Sequence, residues 1–328
     1  MADPRLLVAV PSSPDLIDGL ARWLPDVPYI RPDKLGEKPW PSIEAAFVAN
    51  VDREMPSVRP AQVPRLRFVQ FLFTGLDGFP FHRFAPEVQV ASNRGAYGPF
   101  VAEHAVALAL ALSKNVGRGQ EMILDGKMRP APSSMFLDGR RAVILGFGRI
   151  GHETARRLRG LGMSIEGISR TGNADPGADQ MTSIAHLSEA LSRADVIVNC
   201  LPLTPSTRGI IGSEELGQLK PEAILVNVGR AATIDEDALV GYVKGHPDLR
   251  FGSDVWWDED FVHGKVEVPP ALKDLPNLLG TPHTAGLTAD SRKFVLDNAL
   301  QNVARYFHGE RPQYLADQED RAMGEPAP

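Results

Sequence analysis

Residues 141–171, RAVILGFGRIGHETARRLRGLGMSIEGISRT, say more about the fold of the chain than any other stretch. The apolar run 142–145 predicts a short strand buried on both faces, and three glycines follow it at G-x-G-x-x-G spacing. Gly146 permits a tight turn, Gly148 lets backbone N–H groups approach a pyrophosphate, and Gly151 lets the next helix pack closely on the strand. Because the motif leaves a strand and opens a helix, whose N-terminus would hold an anion, we expect dinucleotide binding rather than a plain structural turn. The residues of this turn that we predict to bind the cofactor are Gly146, Gly148, Arg149, Ile150 and Gly151.

The second strand of this unit, residues 164–168, is followed by Ser169, Arg170 and Thr171. In dinucleotide-binding folds an acidic residue at this point binds the ribose 2′-hydroxyl of NAD. A carboxylate would repel a 2′-phosphate, whereas an arginine can bind one bidentately. The sequence therefore favours NADP, with NAD as the second choice, and the alternative that Arg170 is an ordinary surface residue stays open.

The composition is that of a globular protein, with 328 residues, 43% apolar and 23% charged residues, and a net charge of −6. This charge gives no broad basic surface for nucleic acid. Cys200 is the single cysteine, which excludes intramolecular disulfides and thiolate zinc sites, and none of the eight histidines has metal-ligand spacing, so we predict no metal. The longest apolar run, residues 105–112, is too short to span a membrane, and the N-terminus lacks a signal pattern. We expect a cytoplasmic protein that binds neither nucleic acid nor membrane.

Short apolar runs alternate with amphipathic segments along the whole chain, which predicts α/β architecture. Two Rossmann-like or flavodoxin-like domains with doubly wound parallel sheets account for this alternation. The helix at 99–116 is apolar nearly all round, and the last helix, 289–307, follows the second domain and is expected to return to the first. We therefore predict a dinucleotide-binding domain at 100–287, inserted into a substrate domain formed by 1–99 and 288–328. The polar tail after Tyr314 is expected to be frayed.

Three segments at predicted strand ends carry residues that could do chemistry. Arg230 follows one strand, Asp254 and Glu259 surround the end of another, and His283 follows a third. Ligands of open α/β folds bind at this edge of the sheet. An arginine that pairs with an anionic substrate, a histidine that supplies a proton and a carboxylate that orients the ring together suit the reduction of a carbonyl.

Five motifs in order make the chain similar to the D-isomer-specific 2-hydroxyacid dehydrogenase family, in particular to its NADP-preferring glyoxylate and hydroxypyruvate reductases. They are VAEHAVALALAL (101–112), ILGFGRIG (144–151), LPLTPSTRGIIG (201–212), NVGRAATIDEDAL (227–239) and TPH (281–283). The resemblance covers nearly the whole length. It implies that Arg230 binds the substrate carboxylate and carbonyl, that His283 is the general acid/base, and that Glu259 pairs with His283. It also implies that Asp254 holds the nicotinamide carboxamide, and that Thr74 and Gly75 grip the carboxylate through backbone N–H groups.

The remaining cofactor contacts that follow from the motifs are Leu201, Pro202, Thr207, Val228, Gly229, Asp254, His283 and Gly286. For Thr207 a turn-stabilising role is an equal alternative. The insertion-like segment 256–270 replaces a shorter Glu-Pro turn of the family, so Asp258 and Asp260 compete with Glu259 for the role beside His283. Trp256 and Trp257 line a substrate mouth or belong to the core, and we assign His104 to helix packing.

The sequence thus predicts a cytoplasmic, NADP-preferring reductase of small 2-keto acids, such as glyoxylate or hydroxypyruvate, that forms D-2-hydroxy acids. The resemblance implies a homodimer built partly on the 99–116 helix. A phosphite or formate dehydrogenase-like enzyme is an alternative, although formate dehydrogenases have a glutamine where Glu259 stands. A dinucleotide-sensing corepressor-like protein is another, because such proteins can keep Arg230, Glu259 and His283.

Overall fold

The computed structural model describes residues 3–35, 39–56, 58–129, 133–260 and 263–323. Its strands are β1 (Leu6–Ala9), β2 (Tyr29–Ile30), β3 (Ala45–Val48), β4 (Phe68–Phe71), β5 (Gln89–Ala91), β6 (Arg141–Leu145), β7 (Ser164–Ser169), β8 (Gln180–Ser183), β9 (Val196–Asn199), β10 (Ile224–Asn227), β11 (Arg250–Ser253), β12 (Asp258–Asp260), β13 (Lys265–Glu267) and β14 (Leu278–Gly280). Its α-helices are α1 (Pro14–Trp23), α2 (Val51–Glu54), α3 (Gly98–Ser113), α4 (Val116–Leu124), α5 (Arg149–Arg159), α6 (Leu187–Arg193), α7 (Ser213–Gly217), α8 (Glu236–Gly245), α9 (Pro270–Lys273), α10 (Ser291–Phe307) and α11 (Gln318–Met323).

The chain forms two compact units, each with a parallel sheet. Unit 2, Gly98–Leu287, is inserted in the sequence between the two parts of unit 1, Met1–Tyr97 and Thr288–Pro328. The sheet of unit 2 has the strand order β14-β11-β10-β9-β6-β7-β8, and all its pairs are parallel. The chain starts at β6, adds β7 and β8 on one side and then crosses to β9 on the other, so the topological switch point lies between β6 and β9. This confirms the predicted α/β class with doubly wound parallel sheets.

The central strands of unit 2 are buried on both faces because helices cover both sides of the sheet. Val143 and Leu145 of β6 belong to a core that includes Ile197, Leu225 and Phe251 from the neighbouring strands. On the other face α3 packs against α5, β10 and β11. This helix ends at Ser113, and Asn115, at φ +52°, precedes the separate helix α4.

Asp195 joins three segments at the edge of the unit 2 sheet where the strands begin. Its carboxylate accepts from the amide of Arg141 at 2.9 Å and from Nζ of Lys220 at 3.0 Å. Burial alone would raise the pKa of Asp195, but these hydrogen bonds and the nearby Arg140 hold it below its usual range. The ionised carboxylate therefore stabilises the folded state.

Unit 1 has a five-stranded parallel sheet in the order β2-β1-β3-β4-β5. One face is covered by α1 and α10, where Leu16 and Leu20 of α1 share a core with Leu300 and Val303 of α10. The other face packs on the segment that follows β4 and includes Phe79 and Phe81. The last long helix therefore returns to the first unit, as its apolar face predicts.

The expectation of a frayed tail is wrong for residues 315–323. Leu315 forms a bridge with Ala91 at the free edge of β5, and α11 follows. Arg321 donates to the carbonyl of Val88 at 3.0 Å and lies over the ring of Phe81. The tail is thus held by contacts with distant parts of the chain that its polar composition does not indicate. Residues 324–328 lie outside the described residues.

None of the described helices is long and apolar enough to cross a membrane.

Candidate active site

The glycine-rich turn after β6 has the geometry that each of its glycines predicts. Gly146 has φ +86°, and a Cβ there would lie 3.1 Å from the carbonyl carbon and oxygen of Cys200. A Cβ on Gly151 would clash with the carbonyl oxygen of Gly146. A Cβ on Gly148, in contrast, would meet nothing within 4 Å. Two of the glycines therefore permit close packing within the protein, and the third faces open space.

That open space lies at the N-terminus of α5. Gly148 is the N-cap residue, no side chain caps the helix, and no acidic residue lies in its first turn. The first intrahelical bond in this region runs from the amide of His152 to the carbonyl of Gly148, so the amides of Arg149, Ile150 and Gly151 precede it. Amides at a helix N-terminus, with the helix dipole, bind phosphate groups. The donors present therefore fit the pyrophosphate of a dinucleotide.

The turn after β7 is held in place by hydrogen bonds of its own residues. The amide of Gly172 donates to Oγ of Ser169 at 3.0 Å, and Ser183 donates to the carbonyl of Arg170 at 3.1 Å. Arg170 and Thr171 are exposed. The first carboxylate beyond this turn, Asp175, lies 3.1 Å from Nε2 of His152 and also accepts from the amide of Gly177. No acidic residue therefore occupies the end of β7, and the carboxylate that follows is engaged elsewhere.

The loop after β9 packs against the glycine-rich turn. Leu201 is buried and its amide donates to Oδ1 of Asn199 at 3.1 Å, while Pro202 is exposed. The hydroxyl of Thr207 donates to the carbonyl of Pro202 at 2.6 Å and accepts from the amide of Thr204 at 2.8 Å. Of the two interpretations that the sequence left open for Thr207, the structure shows the turn-stabilising contacts. Its contact with a pyrophosphate stays a prediction.

Cys200, in the same loop, has no reactive environment. Burial raises the pKa of its thiol to about 12. The thiol is therefore protonated at neutral pH and packs rather than reacts.

Arg230 lies three residues after the end of β10, where a network of three buried polar side chains holds its backbone carbonyl. Nδ2 of Asn227 and Oγ1 of Thr233 both donate to the carbonyl of Arg230, at 3.3 and 2.6 Å. Asn199 in turn donates to Oδ1 of Asn227 at 3.1 Å and to Thr233 at 2.6 Å. The guanidinium of Arg230 donates to the carbonyl of Gly229 at 3.0 Å. This network is absent from the predicted site residues, although an asparagine that ends an apolar strand, as in VIVN and ILVN, is a signal for it.

Val228 and Gly229 bring β10 close to the loop after β9. Val228 is buried, and a Cβ on Gly229 would lie 2.5 Å from the carbonyl oxygen of Leu201. This approach requires a glycine, and it sets Arg230 at the carboxyl edge of the sheet beside the switch point.

Glu259 lies on β12, one strand of an antiparallel hairpin with β13 that the sequence analysis did not predict. Its Oε1 and Oε2 lie 3.1 and 2.9 Å from Nδ1 of His283. Oε1 also accepts from the amide of Trp256 at 2.9 Å. Asp260 pairs instead with His263 at 2.6 Å, and Asp258 is exposed. Of the three neighbouring carboxylates, Glu259 is the one that contacts His283.

His283 has φ +54°, a conformation that side-chain-bearing residues rarely adopt. The buried carboxylate of Asp254 accepts hydrogen bonds from both sides of it. Oδ1 accepts from the hydroxyl of Thr281 at 2.5 Å and from the amide of Thr284 at 2.9 Å, and Oδ2 accepts from the amide of Ala285 at 2.9 Å. Asp254 is therefore an anchor of the loop that carries His283. Its contact with a nicotinamide carboxamide, and that of Gly286 with the cofactor, stay predictions.

The two indoles after β11 belong to the framework of the site. Nε1 of Trp256 donates to the carbonyl of Thr281 at 2.9 Å, and Nε1 of Trp257 donates to the carbonyl of Ile234 at 3.0 Å. Trp256 is 6% exposed, and Trp257 packs against the core of unit 2. Of the two alternatives from the sequence, core packing is the one that the structure shows.

Arg230, Asp254 and His283 follow β10, β11 and β14, which are neighbours in the parallel sheet. They therefore share one edge of unit 2, the edge at which ligands of such sheets bind. Thr74 and Gly75 belong to unit 1, where they follow β4. Asn93 holds that loop by two hydrogen bonds. Its backbone amide donates to the carbonyl of Phe73, and its side-chain amide donates to the carbonyl of Leu72.

No group of three or more histidine, cysteine or acidic side chains in the described part of the chain could hold a metal ion.

Comparison with known proteins agrees with this architecture. Residues 106–285 match the family model of the D-isomer specific 2-hydroxyacid dehydrogenase NAD-binding domain. The chain belongs to the D-isomer-specific 2-hydroxyacid dehydrogenase family. It is accordingly an oxidoreductase that acts on the CH–OH group of donors, with a nicotinamide dinucleotide as its cofactor class.

Several members of the family resemble the chain over most of its length. A glyoxylate reductase of Pyrococcus furiosus is 30% identical over 272 residues, which cover 78% of this chain and 77% of that protein. A hydroxypyruvate reductase of Blautia hydrogenotrophica is 29% identical over 280 residues, or 81% of this chain and 83% of that protein. The crystal structure of a candidate formate dehydrogenase from Pyrobaculum aerophilum has a TM-score of 0.80 at 30% identity and covers 96% of this chain and 99% of its own. A family member from Xanthobacter autotrophicus, solved with NADPH, shares the fold with a TM-score of 0.79 at 24% identity, covering 98% of this chain and 100% of its own.

Proposed function

We propose that the protein is an NADP-preferring reductase that converts small 2-keto acids, such as glyoxylate or hydroxypyruvate, into D-2-hydroxy acids. The observation that carries the proposal is the contact between His283 and Glu259 at the sheet edge that also holds Arg230. The relatives named glyoxylate and hydroxypyruvate reductase support the substrate class.

The reaction needs a hydride, a proton and a grip on the carboxylate. When bound, NADPH supplies the hydride to the keto carbon. Nδ1 of His283 is engaged by Glu259, so Nε2 is the atom from which a proton passes to the carbonyl oxygen. The carboxylate of Glu259 stabilises the imidazolium and fixes the orientation of the ring. The guanidinium of Arg230 pairs with the substrate carboxylate and polarises the carbonyl.

The proposed NADP preference depends on the end of β7. Ser169, Arg170 and Thr171 offer two hydroxyls and a guanidinium there, and these groups suit a 2′-phosphate. Asp175 is the next carboxylate along the chain that could accept a hydrogen bond from a ribose 2′-hydroxyl, but it is paired with His152. The pyrophosphate would lie on the amides of Arg149 and Ile150, at the N-terminus of α5.

We also propose that the protein is a cytoplasmic homodimer. A single cysteine suits a reducing compartment. Large apolar side chains on α4 and in the segment after it are exposed: Leu124 by 76%, Met128 by 81% and Phe136 by 69%. Large apolar side chains as exposed as these are typical of an interface, and a second copy would cover them.

The test is a panel of 2-keto acids, with formate and phosphite as further substrates, assayed with NADPH and NADH by the absorbance of the reduced nicotinamide. We expect turnover of glyoxylate or hydroxypyruvate, with the higher kcat/KM for NADPH. Turnover of formate alone would favour the activity for which the Pyrobaculum relative is named. Tight binding of NADPH without turnover of any substrate would favour a dinucleotide sensor.

A further inference from the structure

A chain of three polar side chains lies behind His283 in unit 2. Nε2 of His104, on α3, lies 2.9 Å from Oγ1 of Thr281, and Thr281 lies 2.5 Å from Oδ1 of Asp254. Nε2 of His104 is 3.7 Å from the same carboxylate oxygen. The side chain of Asp254 is 3% exposed and that of His104 is 25% exposed. This series of hydrogen-bonded side chains therefore connects helix α3 with Asp254, the buried anchor of the loop that carries His283.

The donors and acceptors in this series of hydrogen bonds can be assigned from the chemistry of the three side chains. Asp254 accepts two backbone amides, from Thr284 and Ala285, as an ionised carboxylate does. The single proton of the Thr281 hydroxyl is therefore donated to Asp254. The hydroxyl oxygen then has only its lone pairs to offer His104, so Nε2 of His104 must carry a hydrogen and donate it.

The hydrogen bonds to Asp254 restrain the backbone on both sides of His283. Thr281 precedes His283 by two residues, and the other two donors to Asp254 follow it directly. The three bonds hold a backbone whose residue at φ +54° would otherwise relax. Trp256 fixes the same loop from the other side, since its indole donates to the carbonyl of Thr281 and its amide to Glu259.

A role in helix packing alone does not account for His104. Apart from the exposed Glu103, the segment of α3 around it is apolar, with Ala102, Ala105 and Val106 buried. An apolar side chain would pack there as well as an imidazole does. What the imidazole adds is the donor to Thr281, a group that no apolar residue supplies.

We propose that His104 is a positioning residue, which acts through Thr281 and Asp254 to hold His283 in the geometry for proton transfer. The inference rests on the proposed function, because it assumes that His283 is the proton donor. The donated hydrogen bond fixes the hydroxyl rotor of Thr281 towards Asp254, and a misplacement of the His283 loop would lower the rate of the chemical step more than the binding of the cofactor.

The test compares variants that keep or remove the donor. His104→Leu removes it, and His104→Gln offers an amide N–H in its place. Thr281→Val removes the hydroxyl with little change in volume. We expect His104→Leu and Thr281→Val each to lower kcat about tenfold, a loss of the order expected for one buried hydrogen bond that positions a reacting group. The Kd of His104→Leu for NADPH should stay within about twofold of the wild type, and His104→Gln should recover most of the loss in kcat.

A double-mutant cycle and a spectrum complete the test. If His104 acts through Thr281, the double variant is no slower than the slower single variant. Multiplying losses, or equal kcat for His104→Leu and wild type, would overturn the proposal. Nitrogen–proton NMR spectra of the histidine rings, recorded without cofactor and assigned with His283→Gln, should show the His283 signals displaced in His104→Leu and Thr281→Val but not in His104→Gln. Unchanged His283 signals would overturn the positioning role of His104 even if the wild type reduced no keto acid. The failure of this role is therefore distinguishable from the failure of the proposed function.

Discussion

Replacing Glu259 by glutamine tests the pair that carries the proposed chemistry. Glutamine keeps the length of the side chain but removes its charge. Oε1 can still accept from the amide of Trp256, as it does in the native protein. The amide nitrogen must then occupy the position of Oε2, 2.9 Å from Nδ1 of His283. A ring nitrogen that carries a hydrogen would there face a second donor, so the substitution disfavours the imidazolium in particular.

The size of the loss follows from the number of bonds. Both carboxylate oxygens approach the same ring nitrogen, so Nδ1–H makes one shared, charge-assisted hydrogen bond rather than two. Such a bond contributes about 1.5–3 kcal/mol. Because about 1.4 kcal/mol corresponds to a factor of ten, kcat/KM should fall roughly 10- to 150-fold. The side chains of His283 and Glu259 are 31% and 16% exposed, so solvent screening places the expected loss towards the lower part of this range.

The assay is steady-state reduction of the best keto acid with NADPH, and Asp260→Asn is the matched control. Asp260 lies on the same strand, and its partner His263 has a side chain that is 69% exposed. Its loss should change kcat/KM by less than about twofold, as is usual for an exposed pair. A Glu259→Gln variant that retains half of the native kcat/KM, or an equal loss in Asp260→Asn, would show that Glu259 does not have the proposed role.

Five further substitutions test the cofactor site, the buried carboxylate and the proposed interface. Arg170→Asp should lower the ratio of kcat/KM with NADPH to that with NADH at least about tenfold, since it replaces a phosphate ligand by a repelling charge; an unchanged ratio would count against Arg170 as the ligand of the 2′-phosphate. Gly148→Ala should raise the Kd for NADPH with little change in Tm, whereas Gly151→Ala should lower the free energy of unfolding by about 1–3 kcal/mol; similar Tm values for the two variants would contradict the geometry of the turn. Because the folded state lowers the pKa of Asp195, its contribution to stability is present above the unfolded pKa of about 3.9 and is lost as pH falls through the folded pKa. Asp195→Asn should therefore lower Tm at pH 7, with a gap from the wild type that closes in acid, and a constant gap would disprove this. Leu124→Glu should convert the proposed homodimer into a monomer in light scattering, and a dimer that persists would place the interface elsewhere.

Apolar patterning predicted the framework that supports the site. The run 142–145 corresponds to β6, and the run 45–48 corresponds to β3. These strands are buried on both faces, so nearly all their residues are apolar and the pattern is visible in one sequence. The motifs then set Arg230 and His283 at strand ends, because the glycine-rich turn and the alternation of elements fix which end of the sheet they occupy.

The hairpin of β12 and β13 could not be predicted in this way. Its strands read DED and KVE, are short and largely exposed, and show no apolar alternation. Glu259 is held by the amide of Trp256 and by its contact with His283, 24 residues further along the chain. The choice of Glu259 over Asp258 and Asp260 is therefore a property of tertiary structure.

The same limit applies to the buried polar residues. Asn199 and Asn227 are visible as polar ends of apolar strands, but the hydrogen bond between them joins residues 28 positions apart. In the sequence alone His104 looks like a packing residue, because its hydrogen-bond partner Thr281 is 177 positions away. Long-range hydrogen bonds of this kind leave no periodic trace in the sequence.

The most direct test of the central claim is the His283→Ala variant, measured for both turnover and cofactor binding. We expect kcat for the reduction of glyoxylate or hydroxypyruvate to fall by a factor on the order of 100 to 10,000, the usual contribution of a general acid, while NADPH still binds. Near-native kcat in that variant would contradict the assignment of His283 as the proton donor and with it the proposed mechanism.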